Sequence, residues 1–440
     1  MIESSSDNSL TASPTISTPA EQTIKPNGDV EKGADSKSPA PPTMPEGGLQ
    51  AWLCVLGAWL TMFATFGYAN SFGVFQAYYI VKYPNVTASD ISWVGSVQLF
   101  LQFALGAFTG PLYDKGYFYH LMYSGAVLYI VCIFMTSLCK EFWQTVLAQA
   151  LGLGIGIGLM LLPAFSVLSH YFMKKRAIAM GIAVTGSSTG AICLPIMLNN
   201  LFKSHGFEKA VQYTGYLLLG CLILACALLR TRLPVKKGGP PKPTPKELFS
   251  SVPYTLVVAG LFCVTWGQFF PVYYIQIYGE DHGISSNLTQ YTIAILNAAS
   301  IFGRTLPNFF ADKVGSLNVI TLCSFFTGVL VFAIFGAGSP GGLIVVAILY
   351  GFFSGAYVSL MTPAAMTFAK GFNELGSRVG WGMLVMSLAA LSGSPIQGAL
   401  LDRYGFYAPT IWSGVCVLMG SALLAVATRM HARDKRTWKV

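Results

Sequence analysis

Charge is what this sequence has least of: 10% of its 440 residues are Asp, Glu, Lys or Arg, where soluble globular chains carry about a quarter. With 53% hydrophobic residues and a mean hydropathy of +0.57, that scarcity excludes a water-facing surface over most of the chain. The nine cysteines form no CxxC pair and stand beside no histidine-rich tract, so neither a disulfide framework nor a metal site is indicated, and no cofactor is expected. They read as small packing residues. The five histidines are dispersed, and His170 reads as an interface residue. No carboxylate pair and no nucleophile beside a base stands out, which argues against an enzyme. Gly152, Gly154, Gly156 and Gly158 imitate a phosphate-binding loop. They lie in an apolar stretch without a preceding strand or a nearby lysine, so they read as helix-packing glycines. The first 46 residues lack the apolar core of a secretory signal and read as a disordered cytoplasmic tail rich in Ser, Thr, Pro, Lys and Glu.

What is abundant is apolar length. A helix needs roughly 20 residues to cross a hydrocarbon layer of about 30 Å. From Leu49 onward twelve runs meet that need: 49–80, 91–113, 117–138, 142–170, 177–201, 211–233, 252–278, 287–310, 317–336, 343–368, 378–401 and 406–428. The stretch 234–250, with Pro240, Pro241, Pro243 and Pro245 among lysines, cannot continue a helix and divides the spans six and six. The expected organisation is a tail at 1–46, a six-helix unit at 47–233, a linker at 234–250, a second six-helix unit at 251–429 and a tail at 430–440. The fold class is therefore an all-α membrane protein with twelve transmembrane helices in two six-helix bundles, and its surroundings are the lipid bilayer.

A net charge of +9 and a pI near 9.0 raise the question of nucleic acid. Position answers it. Lys82, Lys140, Lys203, Lys209 and Arg403 fall on one side of this topology, Arg304 lies within a span, and the rest of the 27 basic residues fall on the other side. Basic loops face the cytoplasm, so both termini and the linker are expected there, and nucleic acid is not a partner. The sequons Asn85-Val86-Thr87 and Asn287-Leu288-Thr289 fall on the opposite side, as glycosylation at Asn85 and Asn287 requires.

The halves repeat one another. Gly110-Pro111-Leu112-Tyr113-Asp114-Lys115-Gly116 follows the second span, and Gly303-Arg304 with Asp312-Lys313-Val314-Gly315 follows in the matching place of the second half. A further copy, Gly398 to Gly405, closes the eleventh span on the other side. Glu46-Gly47-Gly48 with Ala51-Trp52 opens the first helix. The long run Tyr171-Phe172, Lys174-Lys175-Arg176, Ala179, Gly181, Ala183, Gly186-Ser187 and Gly190 enters the fifth. Over Glu46 to Arg429 these motifs resemble the major facilitator superfamily and, within it, the monocarboxylate transporter family in its fungal form. The resemblance implies two bundles around a central cavity, alternating access at the plasma membrane, and a carboxylate moving with a proton. In that family the coupling uses a first-helix lysine and an eighth-helix aspartate one turn before an arginine. Here Asn70 stands at the lysine's place, Ser300 at the aspartate's, and Arg304 at the arginine's.

Arg304 is the one unmatched charge inside a span, where a guanidinium faces protein, water or a partner. Its planar fork suits a carboxylate, and it stays protonated, so it can bind an anion without releasing a proton. The plain alternative is a gate near the inner end. Asn70, Asn297, Gln102 and Tyr357 are the polar residues placed with it as candidate substrate contacts. Asn297 lies seven residues before Arg304, two turns away on a similar face. The alternative for each is a bond between helices. Asp114, Lys115, Asp312 and Lys313 are the candidate gate, because a carboxylate at one helix end can bridge to a neighbouring helix terminus. Pro163, Pro195, Pro363 and Pro395 are expected to kink their helices. The leading expectation is a transporter of a small organic anion. An exporter or importer of a neutral or larger metabolite stands beside it, then a nutrient receptor on the same fold. An accessory subunit and the coupling ion stay open.

Overall fold

Apolar length sets the helices, and glycine sets where they stop. The computed structural model describes residues 47–232, 244–369 and 374–440. The expected tail at 1–46, the linker residues 234–243 and Lys370 lie outside the described residues. Among the described residues the spans are α1 (Leu49–Lys82), α2 (Asp90–Asp114), α3 (Phe118–Leu138) and α4 (Phe142–His170), then α5 (176–205) and α6 (207–228), which run as one helical stretch, Arg176–Leu228. The second half gives α7 (Val252–Asp281), α8 (Ser286–Val314), α9 (Ser316–Gly336), α10 (Pro340–Met366), α11 (Leu375–Tyr404) and α12 (Tyr407–Lys435). At 1.5 Å per residue, 53 residues would extend about 80 Å, far more than one crossing. Gly206, at φ 77° and ψ 171°, is where the chain folds back. Only glycine adopts that conformation at little cost.

Among the described residues, ten helical stretches are long and apolar enough to cross a membrane. One of them holds both α5 and α6, and α8 falls short because Asn297, Ser300, Arg304, Asn308 and Asp312 punctuate it. The fold is thus the expected all-α membrane architecture of twelve helices, reached through different boundaries. Helix α12 continues to Lys435, so part of the expected C-terminal tail is helical. The chain then turns at Arg436 (φ 49°) and returns to the start of α9. There Leu317 N–H donates to Val440 O at 3.1 Å, and Asn318 Nδ2 donates to Trp438 O at 2.7 Å. Part of the expected linker is also helical. Pro245–Phe249 forms a short helix because Thr244 and Glu247 make a reciprocal capping box, and Pro245 stands in the first turn, where its missing N–H costs nothing.

The bundles pack through small residues, as helices must where lipid offers no hydrophobic drive. In the first, α1 lies on α5 at Gly67 and Gly190, on α6 at Gly57, and on α3, whose Tyr129 hydroxyl donates to Ala64 O at 2.5 Å. The glycines of α4 have the packing role expected of them: Gly156 lies on Tyr129, and Gly154 and Gly158 lie on α2. In the second, Gly260 and Gly267 of α7 lie on α12, and Gly351 of α10 lies on Leu296 of α8. The two family-like motifs meet in space. Trp52 and Phe172 form an edge-to-face pair at 5.4 Å, and the Tyr171 hydroxyl donates to Arg230 O at 2.9 Å. Burial pushes that phenol up to about 12, so it stays a donor at any cellular pH.

Candidate functional site

The two bundles meet along two crossings built alike. In one, α2 crosses α11: Gly380 lies against Gly106 O and Gly376 against Gly110 O, approaches that leave no room for a Cβ. In the other, α8 crosses α5, with Gly181 against Arg304 O. Each crossing ends on a carboxylate. Asp114 accepts from Gly376 N and Ser377 N, both at 3.2 Å, and from Ser377 Oγ at 2.9 Å, in the first turn of α11. Asp312 accepts from Ala177 N at 2.8 Å and Ile178 N at 3.0 Å, in the first turn of α5. Unpaired N–H groups and the helix dipole make that first turn an anion site. Charge-assisted bonds to them are roughly twice as strong as neutral ones.

Lys115 and Lys313, expected in the same gate, are exposed; Lys313 lies 4.2 Å from the Phe309 ring centre. Beside Asp114, Arg378 pairs with Glu374 at 3.1 Å and lies over the Tyr254 ring, whose hydroxyl donates to Arg378 O at 2.6 Å. We refer to this end of the molecule as the basic end.

Arg304 lies two turns of α8 from Asp312. Its Nη1 donates to Val184 O at 2.8 Å and to Ser187 Oγ, both in α5. One turn further from the basic end, Ser188 donates to Ser300 at 3.2 Å across the same boundary. Arg304 Nε is buried without a hydrogen-bond partner. The guanidinium is thus divided: one nitrogen spans the bundles and another is left unmatched, which is costly for a buried donor unless a further partner reaches it.

The other expected substrate contacts are not all brought together. Asn297 is half-buried on α8, and its amide donates to Ile293 O at 3.0 Å. Asn70 is exposed at a turn that interrupts α1, just past a widened turn at Phe63–Gly67, with its amide donating to Phe66 O at 2.7 Å. Gln102 is fully buried on α2, with neither amide atom hydrogen-bonded. Tyr357 is spent inside the second bundle, where its hydroxyl donates to Leu261 O at 2.9 Å and meets Thr265 Oγ1 at 3.1 Å. That is the interhelical alternative. Asn85 is exposed in the connection between α1 and α2, and Thr87 of its sequon caps α2 by accepting from Asp90 N at 3.2 Å. The side chain of Asn287 lies outside the described residues.

Sequence reasoning missed three groups: Ser187 and Ser188 as the α5 partners of Arg304 and Ser300 respectively, the glycines at both crossings, and the rings along α1 and α7. Gly181 and Ser187 were inside a quoted motif, but a motif does not say which helix it faces.

With this geometry in place, comparison with known proteins is direct. Residues 57–370 match the Major Facilitator Superfamily. The aspyridones efflux protein apdF of Emericella nidulans is 42% identical over 397 residues, covering 90% of this chain and 80% of that protein. The agnestins efflux protein AgnL12 of Paecilomyces divaricatus is 37% identical over 414 residues, covering 93% and 94%. The fujikurins efflux protein of Gibberella fujikuroi is 34% identical, covering 90% and 86%. Among solved structures, the human organic anion transporter MFSD10 superposes with a TM-score of 0.67 at 16% identity, covering 86% of this chain and all of that one. FucP in its outward conformation gives 0.66 at 15%, covering 85% and 98%. Such distant likeness speaks for the fold alone. The expected superfamily stands, while these relatives are efflux proteins and none is named a monocarboxylate porter. Two bundles of six helices, joined at one end by paired carboxylate-to-helix contacts and matched over most of the length, make this chain a multi-pass membrane protein of the Major Facilitator Superfamily.

Proposed function

We propose that this chain exports an organic secondary metabolite by alternating access, with the bundles 47–233 and 251–429 as the moving units. The observation that carries the mechanism is the pair of ties from Asp114 to α11 and from Asp312 to α5. They join the bundles at the basic end, and separating the bundles breaks both together. Efflux is supported by the names of the relatives, which are efflux proteins for aspyridones, agnestins and fujikurins. Asn70 and Ser300 in place of the charged pair of proton-coupled porters favour a cargo larger or less charged than a simple monocarboxylate.

A second reading, carriage of an organic anion, rests on Arg304. Its unmatched Nε is a donor that a carboxylate or phenolate could complete. Proton coupling would then need carriers other than Arg304, which stays charged. The basic excess supports a cytoplasmic basic end with both termini inside, and the plasma membrane is the location that export requires.

The test is secretion. Cells that make a hydroxylated polyketide and express this chain should release more of it than control cells, and a double Asp114→Asn, Asp312→Asn variant at equal surface level should not. Equal release with and without the chain would sink the efflux reading, and import of the same compound would reverse its direction.

A further inference from the structure

Matched stripes of aromatic rings on α1 and α7 carry an inference that rests on the efflux reading and names the class of cargo. On α1, the faces toward α3, α5 and α6 are taken up by packing. Beside the α5 contact, where Gly186 lies against Trp59 O and Phe63 N, the rings of Trp59, Phe63 and Phe66 recur at helical spacing and are half-buried. Trp59 and Phe63 stack at 5.6 Å with a 14° interplanar angle. The Trp59 indole donates to Thr185 Oγ1 of α5 at 3.1 Å, and Phe66 meets Phe103 of α2 at 5.7 Å. Helix α5 touches α8 across the bundle boundary, and α2 touches α11. A side chain between α5 and α2 therefore looks into the space that those two crossings enclose.

Helix α7 repeats the pattern. Gly260 packs on α12 as Gly57 packs on α6, and counting from these glycines puts Phe262 at the place of Trp59, Phe269 at that of Phe66 and Tyr273 at that of Asn70. Phe262 and Phe269 are half-buried, Tyr273 is 39% exposed, and Phe269 stacks on Tyr273 at 5.9 Å and 23°. The neighbouring faces of α7 are taken by Tyr357 of α10, bonded to Leu261 O, and by Gln397 of α11, which donates to Trp266 O at 3.1 Å.

We propose that these stripes are the two walls of an aromatic slot, one from each bundle, that selects a flat conjugated molecule. Stacking and edge-to-face contacts add to area burial only when the cargo itself is aromatic. An acyclic chain of similar size gains area and nothing more. Because each wall belongs to a different bundle, the cargo is held by both only while the bundles are in one arrangement, and rocking them apart loosens it. Asn70, exposed where Tyr273 has its counterpart, gives the α1 wall a polar end.

The experiment uses the purified full chain in lipid nanodiscs, with emodin, a flat hydroxylated anthraquinone, as aromatic probe and decanoate as acyclic probe. Emodin should bind more tightly than decanoate. Phe66→Leu and Phe269→Leu, which keep bulk and apolarity, should each weaken emodin binding by roughly three- to tenfold and leave decanoate within about twofold. Phe66→Tyr and Phe269→Tyr should restore emodin. Equal emodin affinity in the double leucine variant, or no preference for emodin in the unaltered chain, would overturn the slot. If the slot fails while cells still secrete a metabolite through the leucine variants, the efflux reading stands alone; if the unaltered chain secretes nothing, efflux itself fails.

Discussion

Arg304 of α8 and Gly106 of α2 occupy equivalent places in the two halves: each lies eight residues before a carboxylate that caps a helix of the other bundle, and each has its carbonyl oxygen against a glycine across the bundle boundary, Gly181 and Gly380 respectively. The backbone geometry is shared and the side chains are opposite in kind. The repeat built a symmetric pair of crossings, and one of them carries a guanidinium that the other lacks. Transport asymmetry, in binding or in conformational preference, has its plainest chemical source there.

Arg304→Ala should abolish transport at normal surface level, because it removes the charge and both bonds to α5. Arg304→Lys should keep partial activity at best, since an ammonium cannot reproduce the planar fork. Ser187→Ala separates the two roles of Arg304. If the arginine acts as a tie between bundles, losing the serine should change turnover about tenfold, from roughly 1.5 kcal/mol of charge-assisted bonding, while cargo affinity stays unchanged. Initial rates across cargo concentrations measure both quantities.

Asp114→Asn and Asp312→Asn should act alike, because the two carboxylates cap equivalent helix ends. Each loses a charge–dipole contact of about 0.3–2 kcal/mol, and each should favour the arrangement open at the basic end. Accessibility of an engineered cysteine at that end to a water-soluble thiol reagent reports the shift. Unequal effects of the two variants would mean the gate is not symmetric.

Gly380→Leu and Gly181→Leu place a side chain where Gly106 O and Arg304 O already sit. Neither crossing can then close. Both variants should insert and express, and should be inactive with the basic end held open to the same reagent. Full activity in either would show that the crossing never needs to close.

Gly206→Val should destabilise the chain by about 1–3 kcal/mol, because the turn between α5 and α6 uses a conformation reserved for glycine. No Cβ clash adds to this cost, since nothing lies within 4 Å of the position. A thermal melt in detergent should move down by several degrees with little change in transport by the surviving protein.

Asn85→Gln tests sidedness. If the connection between α1 and α2 faces the lumen during synthesis, the unaltered chain should lose apparent mass on endoglycosidase treatment and the variant should not.

Composition and apolar length alone determined the class of this protein. Too little charge for a water-facing surface and twelve apolar runs leave few alternatives to a helical membrane protein, because a lipid-exposed backbone must satisfy its own hydrogen bonds. The internal repeat also placed Asp114 and Asp312 in matching positions, since both are local patterns in the chain. Which helix each carboxylate reaches was not legible there. Gly376 and Ser377 lie more than 250 residues from Asp114, and Ala177 lies more than 130 before Asp312; only the docking of one bundle on the other brings them together. The fate of the polar residues was likewise a tertiary decision. Tyr357 and Asn70 look equivalent as polar residues in apolar runs, yet packing closes one inside its bundle and leaves the other exposed. The aromatic stripes were hidden for the same physical reason. A ring at helical spacing serves lipid, core or cavity equally well, and the neighbours on its other faces decide which.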